Sequence, residues 1–172
     1  MNAVAEMERI ADDTAQVSIP KLRAHRGEYL AFRLGEEHYA IEILRVQEIR
    51  SYEPPTRIAG APPGVKGVVN LRGVIVPVVD LRARLGMPAT EPGPTTVVIV
   101  LGLRDRVIGA IVDAVSEVVE VTDDELKAPP PLGSAVNDGH MTGLACIDDA
   151  QASKTIVLLD IEALLGDALA VG

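Results

Sequence analysis

The sequence predicts an all-β protein with short helices, and three observations carry that prediction. Apolar runs rich in β-branched residues recur at 29–34, 39–43, 68–71, 74–79, 97–103, 107–112 and 115–121, each bounded by a short turn. Pro-containing stretches at 53–64, 87–95 and 128–141 interrupt them with a composition that neither a helix nor a central strand tolerates. Aromatic residues are only 2% of the chain, which leaves a core of Val, Ile, Leu and Ala.

Taken in chain order, residues 1–26 hold no strand pattern and are expected to form a flexible N-terminal tail. The run at 97–103 is far shorter than the roughly 20 residues a membrane-spanning helix needs, so it reads as a buried strand. Val46-Gln47-Glu48-Ile49 fits either an alternating strand or one helical turn, and both place Glu48 at the surface. Pro77 removes a ladder donor from the strand 74–79, which predicts an edge strand or a bulge there. Two short helices follow from their ends: Asp80 before residues 81–85 with Gly86 after, and Asp160 before 161–165 with Gly166 after. Residues 167–172 are left as a C-terminal tail.

These two helix signals also match each other, sharing Asp, Ala, Leu and Gly. Leu34-Gly35 echoes Leu101-Gly102, and Val46-Gln47-Glu48-Ile49 echoes Val115-Ser116-Glu117-Val118, in the same chain order. One domain over 27–166 is therefore expected, made of two related β units near 28–90 and 95–166, with an exchange of strands between them allowed for.

Composition narrows the function classes. Sixteen Lys+Arg against 25 Asp+Glu give a net charge of -9, the wrong sign for holding nucleic acid or an anionic membrane surface. With one cysteine the chain has no internal disulfide, and the residues before position 14 mix charges into the apolar pattern and form no signal peptide, so a cytoplasmic protein is expected. Cys146 lies in an apolar segment and reads as a small buried hydrophobe. The three histidines and Cys146 are too scattered for a zinc site, and Asp123-Asp124-Glu125 and Asp148-Asp149 lack calcium-loop spacing; neither metal nor cofactor is expected. Asp80 and Asp160 are the one candidate acid–base pair, in an enzyme or a small-ligand barrel, but helix capping accounts for both together with their flanking residues. No nucleophile elbow or phosphate loop is present, so no enzyme is expected. Asn70-Leu71-Arg72-Gly73 is left, a hairpin turn that puts the Arg72 guanidinium in water, either as a solubilising charge or as a bidentate recognition group.

With those residues in view, the sequence resembles the CheW family of chemotaxis coupling proteins. The resemblance is carried by Leu34-Gly35 with Tyr39, Ile41 and Ile43, by Val46 to Ile49, by the unbroken block from Gly67 to Arg82, and by Thr142-Gly143-Leu144 and Leu158 to Ile161. It implies two packed five-stranded β-barrels of the Src-homology-3-like kind around a shared core. It implies a non-catalytic scaffold that binds the regulatory domain of the histidine kinase CheA and the cytoplasmic hairpin tip of chemoreceptors. The protein would then be cytoplasmic and recruited to membrane-associated receptor arrays, without inserting into the membrane. Coupling in another receptor–kinase array, for surface motility or second-messenger control, is the alternative. The 172 residues leave no room for an added kinase core or receiver domain, so a stand-alone coupler is expected. By position, Glu48, Arg72 and Val46 match receptor-contacting residues, and Leu30, Ile43 and Val46 match the apolar surface that faces the kinase.

Overall fold

The structure is a computed structural model that describes residues 21–131, 139–148 and 152–166. The segments 1–20 and 167–172, which hold most of the expected tails, lie outside the described residues, as do parts of the 128–141 loop.

Among the described residues eleven strands run β1 (Gly27–Leu34), β2 (Glu37–Glu42), β3 (Val46–Ser51), β4 (Val65–Leu71), β5 (Val74–Asp80), β6 (Val97–Gly102), β7 (Val107–Val112), β8 (Ala114–Val121), β9 (Leu126–Lys127), β10 (Met141–Asp148) and β11 (Ser153–Leu159). Helix α1 (Leu81–Arg84) follows β5, α2 (Ile161–Gly166) follows β11, and a 3-10 turn, Ile43–Arg45, joins β2 to β3. Strands β9, β10 and β11 were not anticipated. The interruption Thr142-Gly143 and the interposed Cys146 broke the β-branched pattern of β10, while the apolar end of β11 reads equally well as a lead into α2.

The strands form two sheets. Sheet A has the order β8-β1-β2-β11-β10-β9 and sheet B the order β3-β6-β7-β5-β4. Neither sheet is contiguous in sequence. β1 and β2 leave the first half to join strands of the second, and β6 and β7 make the reverse move, so the boundaries near 28–90 and 95–166 divide the chain but not the space. With this exchange, β3, β6, β7, β5 and β4 correspond in order to β8, β1, β2, β11 and β10, and each sheet has one parallel pair, β5 with β7 and β11 with β2. The sequence echoes fall on corresponding places. Leu34-Gly35 and Leu101-Gly102 sit at the ends of β1 and β6, Val46 and Val115 near the starts of β3 and β8, and Asp80 and Asp160 ahead of α1 and α2. The two-residue β9 makes sheet A six-stranded where five strands were expected.

Irregularities correspond as well. Gln47 is an extra residue opposite β6 and Ser116 an extra residue opposite β1; Lys66 and Thr142 bulge in the same way against β5 and β11. A bulge shifts the two-residue alternation by one, so it decides which side chains face inward.

Three apolar clusters follow. The largest lies between the sheets and takes Phe32, Leu34 and Ile41 from sheet A, Ile99, Leu101 and Ile108 from sheet B, and Leu81, Leu164 and Leu165 from the helices. The other face of sheet A encloses a second cluster that includes Tyr29, Ala145, Ile156 and Leu158. The other face of sheet B encloses a smaller cluster of Leu71, Val76 and Val100, with Val78 and Val98 buried beside it. Phe32 and Tyr39 stack in the shared core with ring centroids 6.0 Å apart.

Two expectations need correction. β5 is not an edge strand, since it pairs with β4 on one side and β7 on the other. Val68 turns its N–H and C=O to Thr56, so its partner Pro77 has its own backbone turned from β4 toward β7, and the β7 ladder begins only at Val78. Pro77 thus sits where the parallel ladder stops, and its missing N–H ends that ladder. The second correction concerns residues 22–26, which are bound to sheet A rather than loose. The N–H groups of Arg23 and Ala24 donate to the Thr142 carbonyl at 2.8 and 3.0 Å, and the Arg23 guanidinium reaches Asp160 and the Gly139 carbonyl at 3.0 and 2.9 Å.

Candidate functional site

The β4–β5 hairpin has only two loop residues, Arg72 and Gly73, because Leu71 and Val74 close the ladder. Their φ values of 54° and 89° are those of a type I′ turn, whose twist matches the strands it joins. The Asn70 side chain accepts the Gly73 N–H at 2.8 Å and holds the turn in shape. Arg72 is the one non-glycine residue with positive φ among the described residues. A left-handed conformation costs such a residue about 1 kcal/mol, which glycine or asparagine would avoid. The side chain is 76% exposed.

Glu48 lies on β3, at the opposite edge of sheet B from β4, yet its carboxylate accepts from Arg72 and, at 3.0 Å, from Arg50. The sheet therefore curls until its two edges share one charge cluster. Two guanidiniums on one carboxylate leave a net positive charge at the hairpin tip. The hydrogen bonds from Arg50 and then Arg72 hold the Glu48 carboxyl below the ordinary glutamate range. Glu48 is accordingly half-buried, where the sequence placed it at the surface. Arg50 was not singled out from sequence, though its i+2 spacing from Glu48 along a strand was the signal.

The bulge at Gln47 separates the other candidates. Val46 pairs with Leu101 and Ile49 with Ile99, both of which face the shared core. Glu48 pairs with Val100 and Arg50 with Val98, which face the interior of sheet B. Val46 and Glu48 therefore lie on opposite faces of β3, and the structure does not bring Val46 to the Arg72 cluster. It brings Val46 to Ile43 instead, both packing partly against the shared core beside the exposed Leu44. Leu30 is a correction: at 2% exposure it points from β1 into the shared core between the sheets and offers no surface to a docking partner.

The acid–base reading of Asp80 and Asp160 fails on geometry. Asp80 accepts the Arg82 N–H at 3.0 Å and Asp160 accepts the Ala163 N–H at 3.1 Å, so each caps its own helix. Cys146 is half-buried rather than buried. Among the described residues no helix is long and apolar enough to cross a membrane, and no three His, Cys, Asp or Glu side chains converge as a metal site.

Comparison with known proteins agrees with this architecture. The CheW-like domain family matches residues 28–169. The chemotaxis protein CheW of Klebsiella aerogenes is 44% identical over 138 residues, covering 80% of this chain and 81% of that protein. The probable chemotaxis protein CheW of Rhizobium etli is 37% identical over 140 residues, 81% of this chain and 88% of the relative. The crystal structure of the scaffolding protein TtCheW from Thermoanaerobacter tengcongensis superposes with a TM-score of 0.72 at 30% identity, covering 82% of this chain and 93% of that one. Two curled sheets with exchanged strands, capped helices in place of a catalytic pair, and these relatives lead to one conclusion: the chain belongs to the CheW-like domain family of non-catalytic chemotaxis scaffolds.

Proposed function

We propose that this scaffold joins the cytoplasmic hairpin tips of chemoreceptors to the regulatory domain of the histidine kinase CheA, and so resides in the cytoplasm at membrane-associated receptor arrays. Arg72 and Glu48, with Arg50 behind them, form the receptor contact. Ile43 and Val46 belong to the kinase contact, and the bulge at Gln47 keeps the two surfaces on different faces of one strand.

The observation that carries the reading is the strained Arg72. A hairpin that needs only a left-handed residue is served at lower energy by glycine or asparagine, so a long exposed cation there points to recognition. A guanidinium held near a carboxylate it can exchange gives directional polar contacts to a helical tip, whereas an apolar turn beside a packed core suits another β domain.

The test is co-assembly of the full chain with purified receptor fragments and with CheA. Arg72→Asn keeps the turn geometry and the fold, with stability unchanged within about 1 kcal/mol, because the lost exposed ion pair is offset by relief of strain. Receptor binding should fall at least tenfold and kinase binding stay intact. Ile43→Thr should do the reverse. Normal receptor binding by Arg72→Asn would remove the receptor assignment.

A further inference from the structure

The second residue of each helix pins the connection between two corresponding strands. In α1, Arg82 donates to Asp113, the single residue joining β7 to β8, and the same carboxylate accepts the Gly35 N–H at 2.6 Å. In α2 the corresponding residue is Glu162. Its Oε1 accepts from Arg45 at 3.0 Å and from the Arg104 backbone N–H at 2.6 Å. The charges are reversed and the arrangement is the same: around one ion pair each helix is tied to an inter-strand connection and to a hairpin turn, the β1–β2 turn for α1 and the β6–β7 turn for α2.

The connections differ in length and in what they display. Between β7 and β8 there is one residue, Asp113, whereas between β2 and β3 there are three, Ile43, Leu44 and Arg45. Ile43 packs partly on the shared core, Arg45 is drawn to α2, and Leu44 between them is 92% exposed. A single exposed leucine is ordinary on a protein surface. This one stands on a short turn whose N-cap, Glu42, makes no side-chain cap hydrogen bond, and which is fastened at Arg45 to a helix more than a hundred residues away in sequence. Ile49, also exposed, follows on β3 on the same face as Val46.

We infer that Glu162 is a positioning residue: through Arg45 it holds the Ile43–Arg45 turn so that Leu44 is presented, pre-ordered, to the kinase regulatory domain. The inference rests on the kinase contact proposed above and adds two residues to it, Leu44 as an apolar anchor and Glu162 as its distant support. A preformed turn lowers the ordering cost of binding, which is what an anchor residue in an interface needs.

A double-mutant cycle on the full chain with the CheA regulatory domain tests it. Leu44→Asp should weaken kinase binding about tenfold or more and leave the melting temperature unchanged, since the side chain touches little in the free protein. Glu162→Ala should weaken binding by about three- to tenfold and speed hydrogen exchange at residues 43–46. Glu162→Gln, which can still accept the Arg104 N–H, should recover part of the affinity. In the Leu44→Asp background, Glu162→Ala should cost nothing further, because the side chain it positions is gone. Equal losses in both backgrounds would make Glu162 merely structural and overturn the inference. Wild-type affinity in Leu44→Asp, with affinity lost in Ile43→Thr, would overturn it while leaving the coupling reading in place. No binding by the wild-type chain would remove both.

Discussion

Sheets A and B share strand order, a parallel pair, two bulges and a capped helix, but they enclose different interiors. Sheet A closes over eight buried residues, from Tyr29 to Leu158, while sheet B closes over five, Leu71, Val76, Val78, Val98 and Val100, beside a cavity of about 280 Å³ that Val69 and most of them line. Exposure runs the other way. Leu44, Ile49, Ile58, Val74 and Ile75 lie on sheet B or the turn and loop that lead into it, against Leu22 and Val118 for sheet A. The charge clusters differ too. Glu48 of sheet B is gripped by two arginines, whereas the corresponding Glu117 meets Lys154 at a loose 3.9 Å. Duplication of one architecture has left one copy as the denser support and the other as the surface with unspent apolar and charged groups.

The most direct way to break this contrast is to remove a leucine from each interior. Leu158→Ala, in the denser cluster of sheet A, should cost about 4 kcal/mol by chemical denaturation. Leu71→Ala in sheet B should cost about 2 kcal/mol, because its neighbours already line open space and lose fewer contacts. Equal losses would show that the two interiors are packed alike.

The corresponding bulge glycines sharpen it next. A Cβ on Gly67 would stand 2.1 Å from the Thr56 carbonyl oxygen, with φ at 150°, so nothing can yield without moving backbone. On Gly143 it would first meet the Leu22 side chain at 2.7 Å, which can swing aside. Gly67→Ala should therefore cost about 3 kcal/mol and Gly143→Ala about 1 kcal/mol, both read from thermal melts.

The last contrast concerns the pin between the sheets. The hydrogen bond from Arg82 holds the Asp113 carboxyl below the ordinary aspartate range, and the Gly35 N–H adds to it. A carboxyl with a lowered folded-state pKa stabilises the protein above its unfolded value, near 4, and loses that contribution as pH falls through the folded one. Asp113→Asn should cost about 2 kcal/mol at pH 7 and flatten the loss of stability on acidification. An unchanged acid limb would mean that other carboxylates govern it.

Much of this was legible before any coordinates. The caps at Asp80 and Asp160 were readable because capping is local, decided by one side chain and the N–H groups within three residues of it. The hairpin at Arg72 was readable for the same reason. Leu30 was assigned to the kinase surface by its position in the family pattern, and such a match does not show burial, which the closure of the two sheets decides. Val46 and Glu48 were grouped by the family positions they match, and one extra residue, Gln47, set them on opposite faces.

The sequence by itself determined the strand-rich class, the two capped helices, the internal duplication and the exposed arginine at a tight turn, since all of these rest on contacts within a few residues. The tertiary structure decided the rest: the exchange of β1 and β2 for β6 and β7, the meeting of Glu48 and Arg72 across the curled sheet, and the reach of Glu162 to Arg45. Those contacts join residues up to 117 positions apart, and only the closure of two sheets on a shared core brings such residues together.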